Sequence, residues 1–156
     1  MPSRYLPIYL NDHLAGSTLG VELVRRTRRA NEDGELGDFL RWLEGQIVED
    51  RAALLALQRR HGIEPSLVKA GGAWVAEKLG RLKTNGHLIS YSPLSRLLEL
   101  EGLAGGIEAK LALWLALAEA GIDVEGLADR ARQQRSRLEP FRLAAAREAL
   151  SVAGAG

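Results

Sequence analysis

Apolar residues recur every three or four positions along most of this chain, which is the spacing of one face of an α-helix. The pattern predicts a first helix over about residues 5–30 and a second over about residues 36–61. The main stripe of the first helix is Leu6, Leu10, Leu14, Ser17, Val21 and Val24. The main stripe of the second is Leu36, Leu40, Leu43, Ile47, Leu54 and Gln58. Helices with such stripes bury them against one another, so the chain is predicted to be all-α.

Proline, serine and glycine mark the ends of the later helices. A short third helix is predicted over about residues 65–83, followed by a loop over 85–91. Ser92 and Pro93 then give a hydroxyl cap followed by proline at the first helical position, which predicts a fourth helix running to Ala120. Apolar residues lie on almost every side of this fourth helix, so we expect it at the centre of the fold.

The last third of the chain completes a bundle. Asp123 is predicted to cap a fifth helix, which Pro140 kinks or divides near its middle. Four long helices and one short one predict a four-helix bundle, with the short helix in the connection between two hairpins. We expect residues 1–150 to form a single domain. The small residues at 151–156 predict a disordered tail.

Composition excludes several classes of protein. The chain has no cysteine, which excludes disulfides and thiolate chemistry. Its 21 basic and 20 acidic residues nearly cancel, which argues against dedicated binding of nucleic acid or of a membrane surface. No apolar run approaches the roughly 20 residues that cross a bilayer, and the N-terminus lacks the pattern of a signal peptide, so we expect a cytoplasmic protein. Arginine outnumbers lysine, and alanine, leucine and glycine dominate, as is typical of a GC-rich bacterium.

The segment from Leu10 to Leu19, Leu-Asn-Asp-His-Leu-Ala-Gly-Ser-Thr-Leu, resembles the first helix of ferritin-like proteins. The resemblance extends over the first two predicted helices and part of the fourth. It implies a ferritin-like four-helix bundle in which the short helix lies in the long crossover connection. Two helices of such a bundle each give a glutamate to a di-metal centre, and the other two each give a Glu-x-x-His pair.

Carried over to this chain, most of these ligand positions hold other residues. The first-helix glutamate falls on Ser17, and the second-helix pair falls on Asp50 and Ala53. The fourth-helix glutamate is assigned to Glu101, with Ala104 three residues later, and no histidine follows in the fourth or fifth predicted helix. Two carboxylates without an imidazole do not make a competent di-metal centre, so we expect neither metal nor cofactor.

The polar residues on the apolar faces predict a buried polar cluster instead. Its candidate members are His13, Asp50, Arg51 and Glu101. A carboxylate near the centre of a bundle is tolerated when an arginine or an imidazole pairs with it. We therefore expect Asp50 to be buried and paired with Arg51, with His13 or with a residue of the fourth predicted helix. A catalytic acid–base role would require a pocket and a perturbed pKa, which the sequence does not reveal.

These observations favour a ferritin-like bundle without metal ligands, in a non-catalytic structural or interaction role. Two alternatives stay open. One is a metal-dependent ferritin-like oxidase or metal-storage protein that uses a non-standard carboxylate site. The other is a helical pocket that binds a small apolar ligand.

A second apolar stripe on the first helix predicts a homodimer. It consists of Ile8, Ala15, Leu19 and Leu23. An exposed stripe of this kind is unusual on a monomer, and twofold symmetry is the commonest way to bury it. The short third predicted helix, with Trp74 and Leu79, offers rival cover from within the chain.

Overall fold

The computed structural model describes residues 3–66 and 90–152. These residues form four helices and no strand, which confirms the all-α class. The helices are α1 (Leu6–Ala30), α2 (Gly34–Arg60), α3 (Pro93–Glu119) and α4 (Leu127–Leu150). Most of the predicted short helix over residues 65–83 and of the loop over 85–91 lies outside the described residues, as do residues 153–156 of the predicted tail. Pro65 and Ser66, at the predicted start of the short helix, are described and are not helical.

Several helix ends follow the predicted signals. Ser92 caps α3, because its Oγ accepts a hydrogen bond from the backbone N–H of Ser95 at 3.1 Å. The Ser95 Oγ accepts one in return from the backbone N–H of Ser92 at 3.2 Å, and Pro93 occupies the first turn. Gly62 and Gly121 follow the ends of α2 and α3 with φ angles of 65° and 77°. This left-handed conformation suits glycine at a helix end.

The start of α4 differs from the prediction, as does one of the two effects predicted for Pro140. The helix begins at Leu127, not at Asp123, and the residue before it, Gly126, has a φ of 80°. Asp123 instead closes a turn, since its Oδ1 accepts a hydrogen bond from the backbone N–H of Glu125 at 3.2 Å. Pro140 lies inside α4 without dividing it. The helix has buried residues on both sides of the proline, Leu138 before it and Ala145 after it.

The four helices form two hairpins that pack against each other. α1 packs along α2, α3 packs along α4, and the hairpins meet where α1 contacts α3 and α2 contacts α4. Arg60, at the end of α2, donates a hydrogen bond to the backbone oxygen of Asp123, just beyond the end of α3. At the opposite end, Tyr91 precedes α3 and contacts Asn31, which follows α1. α2 and α3 therefore run parallel, and α3 begins at the end of the bundle where α2 also begins.

The core lies between the hairpins and is built mainly from leucine. Full burial of a leucine-sized side chain contributes about 1.5–3 kcal/mol, so this layer dominates the stability of the bundle. Its largest buried side chains are Leu10, Leu14, Leu40, Leu43, Leu54, Leu57, Leu100, Ile107, Leu113, Trp114, Leu117 and Leu138. None of the helices in the described ranges is long and apolar enough to cross a membrane.

α3 does not lie at the centre of the fold, so that prediction was wrong. Leu94, Leu98 and Leu115 are exposed on its surface. Its apolar residues form more than one face, and the other three described helices cover the face that contains Leu100 and Ile107. A helix that is apolar on several sides can thus lie at the edge of a bundle when part of it borders a surface groove.

The second stripe of α1 is partly covered within the chain. Ala15 and Leu23 are buried and Leu19 is half-buried, whereas Ile8 is exposed. Leu23 faces α3, where a Cβ atom added at Gly102 would lie 2.9 Å from Leu23 Cδ2. The expected continuous exposed stripe was therefore wrong for Ala15 and Leu23, and the homodimer stays a prediction.

Candidate functional site

Asp50 lies in a buried polar cluster that joins three helices. Its carboxylate Oδ2 accepts hydrogen bonds from Lys110 Nζ of α3 and from Gln134 Nε2 of α4, both at 2.7 Å. Lys110 Nζ also donates to Gln134 Oε1 at 2.5 Å. Arg130 Nη2 of α4 lies 3.2 Å from Asp50 Oδ1. These four residues form the Asp50 cluster, and they place one carboxylate between two cations inside the bundle.

In the Asp50 cluster, burial shifts the pKa of Lys110. It lowers the pKa of Lys110, while the neighbouring Asp50 carboxylate raises that pKa and limits the shift. Glu49 lies 3.0 Å from Arg130, but its side chain is 64% exposed. The second negative charge near the cluster therefore sits in solvent, and the buried part keeps an excess of positive charge.

Arg51 and His13 line a groove beside this cluster but make other contacts. Arg51 Nε donates a hydrogen bond to Thr18 Oγ1 at 3.3 Å, and its guanidinium forms no ion pair with Asp50. His13 packs edge-on against the ring of Tyr9, with 4.7 Å between ring centroids. Burial lowers the pKa of His13.

Glu101 does not belong to the cluster, so its inclusion in the prediction was wrong. Its side chain is exposed, and its ion-pair partner Arg142 is 3.8 Å away. The buried carboxylate of α3 is Glu99, which is 2% exposed. Glu99 precedes the buried Leu103 by four residues and shares its face, whereas Glu101 lies about 160° around the helix from Leu103.

Glu99 forms the centre of a second polar cluster, near the start of α3. Arg26 Nε lies 3.1 Å from Glu99 Oε1, and the Tyr91 hydroxyl donates to Glu99 Oε2 at 3.3 Å. The same hydroxyl accepts a hydrogen bond from Asn31 Nδ2 at 2.7 Å, and Arg96 Nε donates to Asn31 Oδ1 at 2.7 Å. We name these five residues the Glu99 cluster. Burial raises the pKa of Glu99, and its contacts only partly offset that effect.

A groove with a volume of about 540 Å³ runs between α1 and α3, with α2 as its floor. It extends between the two clusters, with Glu99 and Arg26 near one end and His13, Arg51 and Lys110 near the other. Most of its wall is apolar. Its apolar lining residues include Leu19, Leu23, Ile47, Leu98, Leu103 and Leu113.

Glycines give the groove its width. Gly16 on α1 and Gly105 and Gly106 on α3 line it, and a Cβ atom added at any of the three would meet no atom within 4 Å. Only Gly102 lies where the two helices approach each other closely. The missing side chains therefore leave open space along the groove and expose helix backbone to whatever enters it.

The residues at the level of Asp50 do not fit the di-metal centre that the ferritin-like resemblance implies. The Ser17 hydroxyl donates to the backbone oxygen of Leu14 at 2.7 Å and carries no charge. A divalent cation would have to compete with the Lys110 ammonium, 2.7 Å from Asp50, and with Arg130. Over residues 3–66 and 90–152, no three His, Asp or Glu side chains are grouped so that they could hold a metal.

The hydroxyl groups that line the groove make hydrogen bonds within their own helices, to the backbone or in a helix cap, and not to a general base. Ser17 binds the carbonyl of Leu14, and Ser95 completes the cap of α3. Neither has a hydrogen bond to a histidine or a carboxylate within the described ranges.

Comparison of this chain with family models, with curated proteins and with solved structures finds no significant match.

Proposed function

We propose that this protein is a non-catalytic binding protein that holds an elongated apolar small molecule in the groove between α1 and α3. The observation that carries the proposal is the groove itself. Its volume of about 540 Å³ lies within the range of roughly 300–1,000 Å³ that is typical of small-molecule sites. The distance along α3 from Glu99 to Trp114 is about 22 Å, which favours a chain-like ligand over a compact one.

The walls of the groove supply a driving force for such a ligand. Removing apolar surface from water contributes about 25 cal/mol per Å², and leucine and isoleucine side chains line the groove on three helices. The open glycine positions allow a chain to lie directly against the helices. Rigid helices preorganise the site, which reduces the entropic cost of binding.

We also propose that the bundle is ferritin-like and that its metal centre has been replaced by an internal ion pair. The parallel course of α2 and α3 supports this topology, since two such helices need a long crossover connection. The ammonium of Lys110, held by Asp50 and Gln134, supports the loss of the metal because it places a positive charge beside the carboxylate. No arrangement of the described residues favours the metal-dependent alternative.

A leucine placed in the groove tests the proposed site. Gly106→Leu should weaken binding of dodecanol, measured by calorimetry, at least tenfold because the new side chain fills space that the ligand needs. Leucine is the better helix former by about 0.5–1 kcal/mol, so the melting temperature should not fall.

Gly45→Leu is the matched control. Gly45 lies in the middle of α2, on its exposed side and outside the groove, and an added Cβ there also meets no atom within 4 Å. Gly45→Leu should keep wild-type affinity for dodecanol. Equal binding by the two variants would place the ligand elsewhere. A wild-type protein that binds no apolar probe would refute the proposed function, whether another part of the chain or a second copy covers the groove.

A further inference from the structure

We infer that the ligand carries an anionic head group, which binds at the His13 end of the groove against Arg51 and Lys110. This inference rests on the proposed function. It names the chemical class of the ligand, an amphipathic anion with one long apolar tail, and it fixes the direction in which the ligand lies.

The charge balance at this end of the groove is the first argument. Arg51, Lys110 and Arg130 bring three positive charges, against the single buried carboxylate of Asp50. Glu49, on the side of Arg130, and Asp12, beside His13, are exposed carboxylates that compensate only from solvent. An added anion would therefore neutralise an existing excess of positive charge. A cationic head group would have to compete with Lys110 for Asp50.

The second argument is hydrogen-bonding capacity. An ammonium group has three donors, and Lys110 uses two of them on Asp50 and Gln134. A guanidinium has five donors, and within the described residues only the Nε of Arg51 has an acceptor, Thr18. Both side chains line the groove, and that of Lys110 is 16% exposed, so it is accessible. A carboxylate is the acceptor that suits such donors best.

The opposite end of the groove has no such excess. Arg26 and Glu99 form an ion pair there at 3.1 Å, and Arg96 pairs with Glu148 at 2.8 Å, which makes two charges of each sign. Between the two ends, Leu19, Leu23 and Leu103 present only apolar atoms. The charge asymmetry therefore orients the ligand, with its head at Arg51 and its tail along the leucines toward Glu99.

Three probes with the same tail and different heads test the inference: dodecanoate, dodecanol and dodecyltrimethylammonium, each below its aggregation concentration. Dodecanoate should bind about tenfold more tightly than dodecanol, the effect of one charge-assisted hydrogen bond in a partly exposed site. The trimethylammonium probe should bind most weakly. Added salt should reduce the advantage of dodecanoate, because salt screens the attraction.

Arg51→Gln should remove most of the difference in affinity between dodecanoate and dodecanol, because it weakens dodecanoate binding far more than dodecanol binding. Arg29→Gln makes the same change of charge on the exposed surface of α1, outside the groove, and should keep the difference. Equal affinities for the three probes in the wild type would overturn the anionic head group and leave the proposed function intact. A persistent preference for dodecanoate in Arg51→Gln would overturn the assignment to Arg51. Failure of all three probes to bind would overturn both proposals.

Discussion

The two buried carboxylates of the bundle, Asp50 and Glu99, are almost equally inaccessible, at 3% and 2% exposure, but they are paired differently. Asp50 faces two cations, one from α3 and one from α4, and an amide that donates at 2.7 Å. Glu99 faces one cation, Arg26, at 3.1 Å and two neutral hydroxyl groups, that of Tyr91 at 3.3 Å and that of Thr27. Equal burial therefore does not mean equal stabilisation of the charge.

The pKa shifts record this difference. In the Asp50 cluster, burial lowers the pKa of the cation Lys110. In the Glu99 cluster, burial raises the pKa of the carboxylate itself. A buried carboxylate such as Glu99 tends toward the neutral form when its contacts replace only part of the water that it has lost. Truncation of the two carboxylates should therefore have very different consequences.

Asp50→Ala should have the largest effect on stability. It would leave Lys110 and Arg130 beside each other without the carboxylate that lies between them. Removing one partner of a buried ion pair typically costs about 3–5 kcal/mol, and urea denaturation at neutral pH would show this loss in the free energy of unfolding.

Glu49→Ala provides the matched comparison, since Glu49 is the adjacent residue, pairs with the same Arg130 and is largely exposed. Loss of the Glu49 carboxylate should lower the free energy of unfolding by less than about 1 kcal/mol. Combining Asp50→Ala with Lys110→Met should recover part of the lost stability, because it removes a buried unpaired charge. An Asp50→Ala protein as stable as Glu49→Ala would contradict the pairing described for the cluster.

Glu99→Gln should change the free energy of unfolding in the opposite direction to Asp50→Ala, and by a smaller amount. A carboxyl group whose pKa is raised on folding stabilises the protein below the pKa of the unfolded chain, near 4.5, and this contribution is lost as pH rises through the folded pKa. Glutamine keeps the shape without the charge. At about pH 8 the variant should therefore be more stable than the wild type, by on the order of 1 kcal/mol.

The pH profile distinguishes this explanation from a general effect of the substitution. The advantage of Glu99→Gln should shrink as pH falls toward 4.5, where Glu99 becomes neutral in the wild type. Glu101→Gln changes the exposed carboxylate two residues away and should show no comparable trend in urea denaturation. If Glu99→Gln lost stability at pH 8, the ion pair with Arg26 would outweigh the cost of burial.

Much of the fold could be predicted because helix ends depend on local chemistry. The cap of Ser92 and Pro93 and the glycine after α3 act within a few residues, and the structure confirms both. Asp123 failed as a helix cap because an aspartate also closes turns, and Gly126, three residues later, permits the later start. Which faces of α3 are covered depends on distant helices, and apolar composition alone does not determine it.

The candidate site could be predicted only in part. The position of Asp50 on the stripe of α2 indicates burial, but its partners Lys110 and Gln134 come from helices whose rotation the sequence does not specify. Glu99 could have been preferred to Glu101 from its spacing to Leu103. One pattern in the sequence could have indicated the groove, two pairs of glycines with a spacing of four residues. They lie at positions 16 and 20 on α1 and at positions 102 and 106 on α3. Residues four apart lie on one helical face.

The smallest expected effect sharpens the description of the Glu99 cluster. The Tyr91 hydroxyl donates to Glu99 at 3.3 Å and accepts from Asn31 at 2.7 Å, and its hydrogen bond lowers the pKa of Glu99. Tyr91→Phe removes both contacts without emptying the site. At about pH 8 it should lower the free energy of unfolding by about 0.5 kcal/mol, the lower end of the range for a single hydrogen bond.

The contributions of the two contacts of this hydroxyl to stability can be distinguished by their pH dependence. Loss of the Tyr91 donor destabilises the charged form of Glu99, so the pKa of Glu99 should rise further. The pH range in which protonated Glu99 stabilises the folded protein should therefore extend to higher pH. The loss in Tyr91→Phe should therefore be larger at pH 8 than at pH 4, where Glu99 is protonated. Tyr5→Phe, which removes a hydroxyl from an exposed ring, serves as the control. An equal loss at both pH values would assign the effect to the contact with Asn31, and the Glu99 charge would then depend on Thr27 and Arg26.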